Sequence, residues 1–373
     1  MISIKNDEIV IDSIAWNSIK SKHSKDKIID DINTVIQSKN IIFPIKNHTL
    51  DEAIADFKTL QKEDCLPLIH EGKFTHRYEY NTPFSDYYIS SSLSGLKSSN
   101  YFNFDARMEC DSINSPSPVR TWNSVAFRKS LLGALFSLKL KEVNSKSFAT
   151  CIAMRKYIAS QFRPSAAKCI YQLFQAENVL DFSSGWGDRL SGFMATDTTK
   201  RYVGIDPSTK LFNGYSNQIK EYSKFTSKSI SMINSTAEDA VIDEEFDLIF
   251  TSPPYFNIER YTQDKNQSFK MYKKLDIWLE KFLFFSISKY WNNLKEGGIL
   301  AINIGDVYSN HTINKICDPM NNFIATLSKA NYLGCMGYRM QKRIRSKSDK
   351  VGIFAEPIWI WGKGISKFSW RNK

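Results

Sequence analysis

The chain has no run of about 18 apolar residues, so nothing in it is long enough to form a membrane-spanning helix. It has no CxxC pair: its six cysteines stand alone at positions 65, 110, 151, 169, 317 and 335. That pattern predicts reduced thiols in an intracellular protein rather than a disulfide framework. The five histidines form no ligand-spaced cluster, so no structural zinc and no other metal site is expected. The opening "MISIKNDEIVIDSIAW" lacks the basic-then-apolar layout of a signal peptide, and a protein that is not secreted is expected. Internal repeats and low-complexity linkers are also absent.

What is present suits packed cores. Hydrophobic residues make up 42% of the chain and aromatics 13%, and 373 residues exceed one ordinary core, which predicts two domains. The net charge of +11 is unevenly spread. Residues 1–150 hold 19 basic and 18 acidic side chains, whereas residues 339–373 hold ten basic and two acidic. A positive focus of that kind attracts polyanions.

From about residue 175 onward, short β-rich runs alternate with amphipathic stretches. "NVLDFSS", "RYVGID", "SISMIN", "FDLIFTS" and "GILAINIG" read as strands, with "WGDRLSGFMAT", "TKLFNGYSNQIKEYSKF" and "DIWLEKFLFFSISKYWNNL" as helices between them. Such alternation implies parallel pairing with helices on both faces. After a further helix, "YLGCMGYRMQ" and "EPIWIWGK" have no helix between them and are expected to pair as an antiparallel hairpin. The whole reads as an α/β, seven-stranded, doubly wound sheet. Residues 1–150 are predicted to form a separate, mainly helical and irregular accessory domain, with 151–373 as the sheet domain. "DDINTVIQSKNII", "LDEAIADFKTLQKE" and "SVAFRKSLLGALFSLKL" read as helices there, and residues 74–123 as irregular.

Two constellations carry chemistry. In "VLDFSSGWGDRL" an acid at a strand end, Asp181, precedes Gly185 and Gly187 and then a helix. Glycines let a backbone turn sharply and approach a ligand closely. "YVGIDPS" ends the next strand with Asp206, where a carboxylate can accept from both hydroxyls of a ribose. Leu190 stands where the dinucleotide fingerprint has its third glycine, which disfavours NAD. "NSTAEDA" offers Thr236 or Asp239 as an adenine acceptor, although a helix N-cap explains the same residues. The second constellation is "TSPPY", at the end of the fourth strand and beside the first in a doubly wound order. Ligands bind outside the carboxyl ends of such strands. The Ser252 hydroxyl and the Pro253 carbonyl can each accept one N–H of a planar amine, drawing it toward a tetrahedral lone pair. Pro254 stiffens the backbone and Tyr255 offers a ring for stacking a base.

"DFSSGWG", "GIDPS" and "TSPPY" resemble motifs I, II and IV of the class I S-adenosylmethionine-dependent amino-methyltransferases of nucleic acids, and "SQFRPSAAKCIYQLF" is similar to their motif X. The resemblance spans residues 160–363. It implies a Rossmann-like methyltransferase sheet, S-adenosylmethionine as cofactor, and methylation of adenine N6 or cytosine N4 in DNA. It also implies that Asp181, Phe182, Ser183, Gly185 and Gly187 line the cofactor pocket, that Asp206 binds ribose and that Ser252, Pro253, Pro254 and Tyr255 hold the target amine. Phe182 departs from the family, which often has proline there. Ser252 departs from the Asp or Asn usual in adenine-specific members and matches the Ser of cytosine-N4 members. RNA or protein amines, or a non-catalytic nucleic-acid-binding subunit, are the alternatives.

Only 65 residues separate Gly187 from Ser252, too few for an inserted recognition domain. By elimination residues 1–150 become the candidate for target recognition, against their near-neutral charge. The segment 339–350 is the candidate phosphate grip, through Arg343, Arg345 and Lys347. Replacing those three by alanine is expected to weaken DNA binding and to flatten its salt dependence by roughly 0.9 in log–log slope per lost phosphate contact. An unchanged slope in a binding titration across salt concentrations removes that assignment.

Overall fold

The computed structural model describes residues 3–5, 7–309, 311–340 and 352–370. By contact the chain divides into two compact units. One comprises Met1–Asn47, Asp105–Ser160 and Arg260–Thr262; the other comprises His48–Phe104, Gln161–Glu259 and Gln263–Lys373. A cut at residue 150 therefore does not coincide with the units, because residues 48–104 belong with the sheet.

The second unit is built on nine strands: β1 (Ile69–Glu71), β2 (Tyr87–Ile89), β3 (Asn178–Asp181), β4 (Arg201–Asp206), β5 (Ser229–Asn234), β6 (Phe246–Thr251), β7 (Leu294–Asn303), β8 (Ala330–Arg339) and β9 (Ala355–Lys363). Their order across the sheet is β1-β2-β8-β9-β7-β6-β3-β4-β5. The seven strands expected from sequence, β3 to β9, are contiguous in it. β5-β4-β3-β6-β7 run parallel, and β9 enters antiparallel between β7 and β8. That is a doubly wound, Rossmann-like α/β sheet with its reversal between β3 and β6. The expected β8–β9 hairpin is present, from Ala330↔Lys363 to Arg339↔Ala355.

Two strands exceed the expectation. β2 joins β8 in parallel and β1 pairs antiparallel with β2, both from the first 150 residues. Residues 74–123, expected to be irregular, thus contribute a sheet strand and short helices, including Lys97–Phe102 and Pro118–Asn123. At three residues each, β1 and β2 are too short to show a period. The helix Leu50–Lys62 also belongs here. It starts with a capping box between Thr49 and Glu52. At its far end the buried Lys168 ammonium donates to the Leu60 and Gln61 carbonyls, 2.9 Å each, where a helix carries negative charge. Phe57 of this helix stacks on Tyr222 at 3.8 Å.

Helices α1 (Pro164–Leu173), α2 (Asp188–Met194), α3 (Thr209–Tyr222), α4 (Phe285–Asn292) and α5 (Cys317–Ile324) cover the sheet. The stretch before β7 is helical throughout but underwinds to a π segment over Leu279–Phe284 ahead of α4. One face of the sheet packs Ile249, Leu300, Trp359 and Phe246 against Trp278, Leu283, Tyr290 and Met320.

The first unit is mainly helical, with an N-terminal hairpin of Ser3–Lys5 and Glu8–Val10. Its core gathers Trp16, Ile32, Trp122, Leu132 and Phe148. The buried Arg128 guanidinium ties Lys25–Ser38 to Pro118–Asn123 by donating to Asn33 Oδ1 and to the Trp122 carbonyl, both at 2.6 Å. The single helix expected over "SVAFRKSLLGALFSLKL" is two, Val125–Leu132 and Ala134–Ser137, broken at Gly133. All six cysteines are buried, and none forms a disulfide. Among the described residues no helix is long and apolar enough to cross a membrane.

Candidate active site

β3 and β6 pair in parallel, Val179 beside Leu248 and Leu180 beside Ile249. The chain therefore leaves their ends on the same edge of the sheet, into the 183–187 loop from one and into Ser252–Tyr255 from the other.

The loop is shaped from within by Asp181. Its carboxylate has no solvent exposure. Arg189 of α2 donates to it from Nε at 2.7 Å and from Nη2 at 3.2 Å, the Tyr202 hydroxyl of β4 at 3.0 Å and the Ser183 amide at 3.2 Å. Arg189 also donates to the Ser183 carbonyl. The expectation that the Asp181 side chain lines the pocket is thereby altered: the carboxylate is used up inside the protein and acts by setting the loop. Phe182 is altered too, since its buried side chain stacks on Tyr290 of α4 at 5.4 Å and leaves only its backbone to the loop. Ser183 remains half-buried at the loop's start.

Both loop glycines sit in the left-handed region, Gly185 at φ +61° and Gly187 at φ +85°. A Cβ on Gly187 would lie 2.4 Å from Gln218 Oε1, so α3 packs where no side chain fits. A Cβ on Gly185 would meet nothing nearer than 3.9 Å, so that face of the loop is open. The Gly185 amide donates to Asp206 Oδ2 at 3.0 Å and the Ser208 amide to Oδ1 at 2.9 Å. Each oxygen keeps a lone pair for a further donor. The buried Ser208 hydroxyl beside them has no hydrogen-bond partner among the described residues. An open glycine turn, a carboxylate with spare acceptor capacity and an orphaned hydroxyl fit a ribose-bearing ligand. Thr236 donates to Asp239 Oδ2 at 2.8 Å and accepts from the Asp239 amide at 3.2 Å. That local turn engages both residues with each other, and no helix follows it, so it is not a helix N-cap.

On the neighbouring strand end, the Ser252 hydroxyl donates to Asn303 Oδ1 at 3.3 Å, and Asn303 Nδ2 donates to the Pro357 carbonyl at 3.1 Å. With its proton so directed, the Ser252 oxygen is left as an acceptor. No described residue donates to the Pro253 carbonyl. The half-buried Tyr255 packs its ring at the edge of the core and donates its hydroxyl to Glu356 Oε2 at 3.2 Å. Burial, with the Glu356 charge, pushes the Tyr255 phenol well above its ordinary range, so it stays protonated. The next residue, Phe256, holds φ at +51° and buries its ring against Trp278. A bulky residue with positive φ is strained by roughly 1–3 kcal/mol, and the buried ring holds it there.

The motif X segment crosses the same edge. Phe162 stacks on Tyr338 of β8 at 4.6 Å and meets Phe250 of β6 edge-on at 5.3 Å, while the Arg163 amide donates to the Tyr338 hydroxyl at 3.1 Å. The loop after Tyr255 folds back so that Asn266 Nδ2 donates to the Pro207 carbonyl at 3.1 Å, beside Asp206. Arg343, Arg345 and Lys347 lie outside the described residues. Sequence reasoning missed Arg189, Tyr202, Gln218, Asn303 and Glu356. Each works through a partner distant in the chain, so only the ion-pair potential of Arg189, eight residues after Asp181, left a local signal.

No family model matches the chain, and no curated protein matches it. Among solved structures it is similar to an rRNA methylase from Streptococcus thermophilus, at 14% identity over 55% of this chain and 99% of that one, with a TM-score of 0.34. It is also similar to the N-methyltransferase NodS of Bradyrhizobium japonicum, solved with S-adenosyl-L-homocysteine, at 12% identity over 53% and 84%, TM-score 0.34. A third is an S-adenosylmethionine-dependent methyltransferase of Clostridium acetobutylicum, at 13% over 59% and 98%, TM-score 0.36. Superpositions this loose define nothing on their own; the strand order of the sheet defines the fold.

Two predictions come from this geometry. Arg189→Met strands a buried carboxylate and is expected to cost about 3–5 kcal/mol in urea unfolding, with Asp181→Asn in the same chain recovering part of the loss. A cost within error of zero would mean that Asp181 does not depend on the pair. The second concerns pH. Burial pushes Asp206 from 3.8 up to about 7, against the pull of the Ser208 and Gly185 amides. Burial likewise pushes Glu356 from 4.5 up to about 7. A carboxyl whose folded pKa is raised contributes stability that is complete below its unfolded pKa and is lost as pH rises through the folded one. Between about pH 5 and pH 8 the melting temperature of the ligand-free protein is therefore expected to fall, and Asp206→Asn to flatten that fall.

Proposed function

We propose that the protein transfers a methyl group from S-adenosylmethionine to an exocyclic amine of a DNA base, adenine N6 or cytosine N4. The observation that carries this reading is the parallel adjacency of β3 and β6. It starts a glycine turn with a ribose-type acid and a Ser-Pro-Pro-Tyr acceptor unit from neighbouring strand ends, about 4.8 Å apart across the sheet. S-adenosylmethionine, when bound, supplies an electrophilic methyl group. Asp206, Ser208 and the Gly185–Gly187 turn are the residues to hold it.

The protein's own part is orientation. An amine conjugated to a base ring is planar and a poor nucleophile. The Ser252 oxygen, its proton turned to Asn303, and the Pro253 carbonyl accept the two N–H bonds and favour a tetrahedral nitrogen with its lone pair directed outward. Tyr255 stacks the base, and the paired prolines keep the acceptors fixed before the substrate arrives. A duplex target must have its base turned out of the stack, since the amine lies inside it. Residues 1–150 are the part we assign to target recognition, on the same elimination as in the sequence.

The test is incubation with methyl-labelled cofactor and mixed DNA and RNA, followed by mass analysis of the nucleosides. N6-methyladenine or N4-methylcytosine from the DNA is the expected product. Label confined to RNA moves the substrate to RNA, and no label in either removes the reading. Ser252→Ala is expected to lower kcat by about 10- to 100-fold, the cost of one hydrogen bond in a charge-developing site. Tyr255→Ala is expected to lose about 1–3 kcal/mol of base stacking, read mainly in KM.

A further inference from the structure

The start of β9 reaches both ends of the Ser252–Tyr255 unit. Its Pro357 carbonyl anchors Asn303, which accepts the hydrogen bond of the Ser252 hydroxyl, and its Glu356 carboxylate accepts directly from the Tyr255 hydroxyl at 3.2 Å. β9 is itself held on both sides, by β7 through Asn303↔Ile358 and by β8 through Tyr338↔Glu356. A tyrosine that only stacks needs no fixed hydroxyl; one whose hydroxyl is held has its ring plane set. We propose that Glu356 is a positioning residue for the target base: through the Tyr255 hydroxyl it fixes the ring against which the base stacks, and its ionisation makes target binding depend on pH. The inference rests on the methyltransferase reading and adds to it a residue outside the glycine loop and the Ser-Pro-Pro-Tyr unit.

The surroundings of Glu356 suit that role. Tyr255 and Glu259 face it from the segment after β6, and Tyr338, across the β8 register, carries the Arg163 amide on its hydroxyl. Cys317 of α5 adds to the raising of the Tyr255 phenol and is itself buried and protonated. No cation among these groups pairs with Glu356. Burial pushes its carboxyl up to about 7, the Glu259 charge adding to the rise and the Tyr255 hydrogen bond opposing it. Above that pH the carboxylate makes a charge-assisted bond to the phenol; below it the bond is between neutral groups and weaker. The plane of Tyr255 is thus held more firmly on the alkaline side.

The experiment has two arms. In the first, KM for the DNA target is measured at saturating cofactor between about pH 6 and pH 8.5. In the wild-type protein it is expected to fall by about 10-fold across the Glu356 titration, with kcat changing less. Glu356→Ala should raise KM about 10-fold at the alkaline end, and Glu356→Gln should recover part of that while removing the pH dependence. In the second, 3-fluorotyrosine is placed at position 255 and its fluorine resonance followed against pH without substrate. A midpoint near 7 that vanishes in Glu356→Gln is expected. The inference is overturned if Glu356→Gln keeps the wild-type KM profile, or if the Tyr255 resonance ignores the substitution. Complete absence of transfer by the wild-type protein removes the methyltransferase reading and this inference with it, whereas transfer with an unaltered profile removes the inference alone.

Discussion

A carboxylate with no access to water must be paired, and at Asp181 that requirement organises the edge of the sheet. Its donors come from three separate places: Arg189 in the first turn of α2, Tyr202 on the adjacent strand β4, and the Ser183 amide in the loop itself. Satisfying all of them fixes where α2 begins relative to β3 and β4, and hence the path of the 183–187 turn between them. The second layer follows from the first. Once the turn is placed, Gly187 packs against Gln218, which donates back to its carbonyl at 2.9 Å, and Asn103 donates to the Trp186 carbonyl at 2.9 Å. Asp206 then finds the Gly185 amide in reach. The ribose-type acid and the glycine turn are one hydrogen-bonded assembly, so a change in either is felt in both.

The Ser-Pro-Pro-Tyr unit is stiffened by other means. Prolines at 253 and 254 fix φ and remove two donors, which leaves the Pro253 carbonyl projecting without a backbone partner. Immediately after Tyr255 the chain turns back through the positive φ of Phe256, held by a ring buried against Trp278. Strain of this kind persists only where packing over-determines it. It keeps Ser252 and Tyr255 at the tip of β6 instead of letting the strand run on, and the β9 clamp on both ends completes the restraint. Acceptors already fixed need little reorganisation when charge develops on an amine nitrogen, which is where preorganised dipoles contribute most.

What could be read from sequence divides along the same line. The seven strands β3–β9 and the two loops at the ends of β3 and β6 were legible because each is encoded locally: an apolar run, then glycines or prolines at its end. The residues that restrain those loops were not, since Asn303, Glu356 and Gln218 are 31 to 101 positions from the groups they bind. A three-residue strand such as β2 carries no period to detect, and it gains strand geometry from pairing with β1 and β8. Asp181 was legible as a residue of consequence but not in its manner of acting. An acid at a strand end before a glycine loop reads the same whether it meets a ligand or an arginine, and burial decides which. The packing of the Phe182 side chain was illegible for the same reason, because position in a loop motif does not reveal which face of the backbone packs on Tyr290.

Charge separates the chemistry of this chain from any recognition of a polyanion. The edge where β3 and β6 end carries Asp206 and Glu356 as well as Arg163, with Arg189 neutralised by Asp181, so acids and cations are mixed there. The chain concentrates its cations instead in residues 339–373, ten basic side chains against two acidic, the composition that attracts a polyanion. That segment includes β9, whose first residues clamp Ser252 and Tyr255.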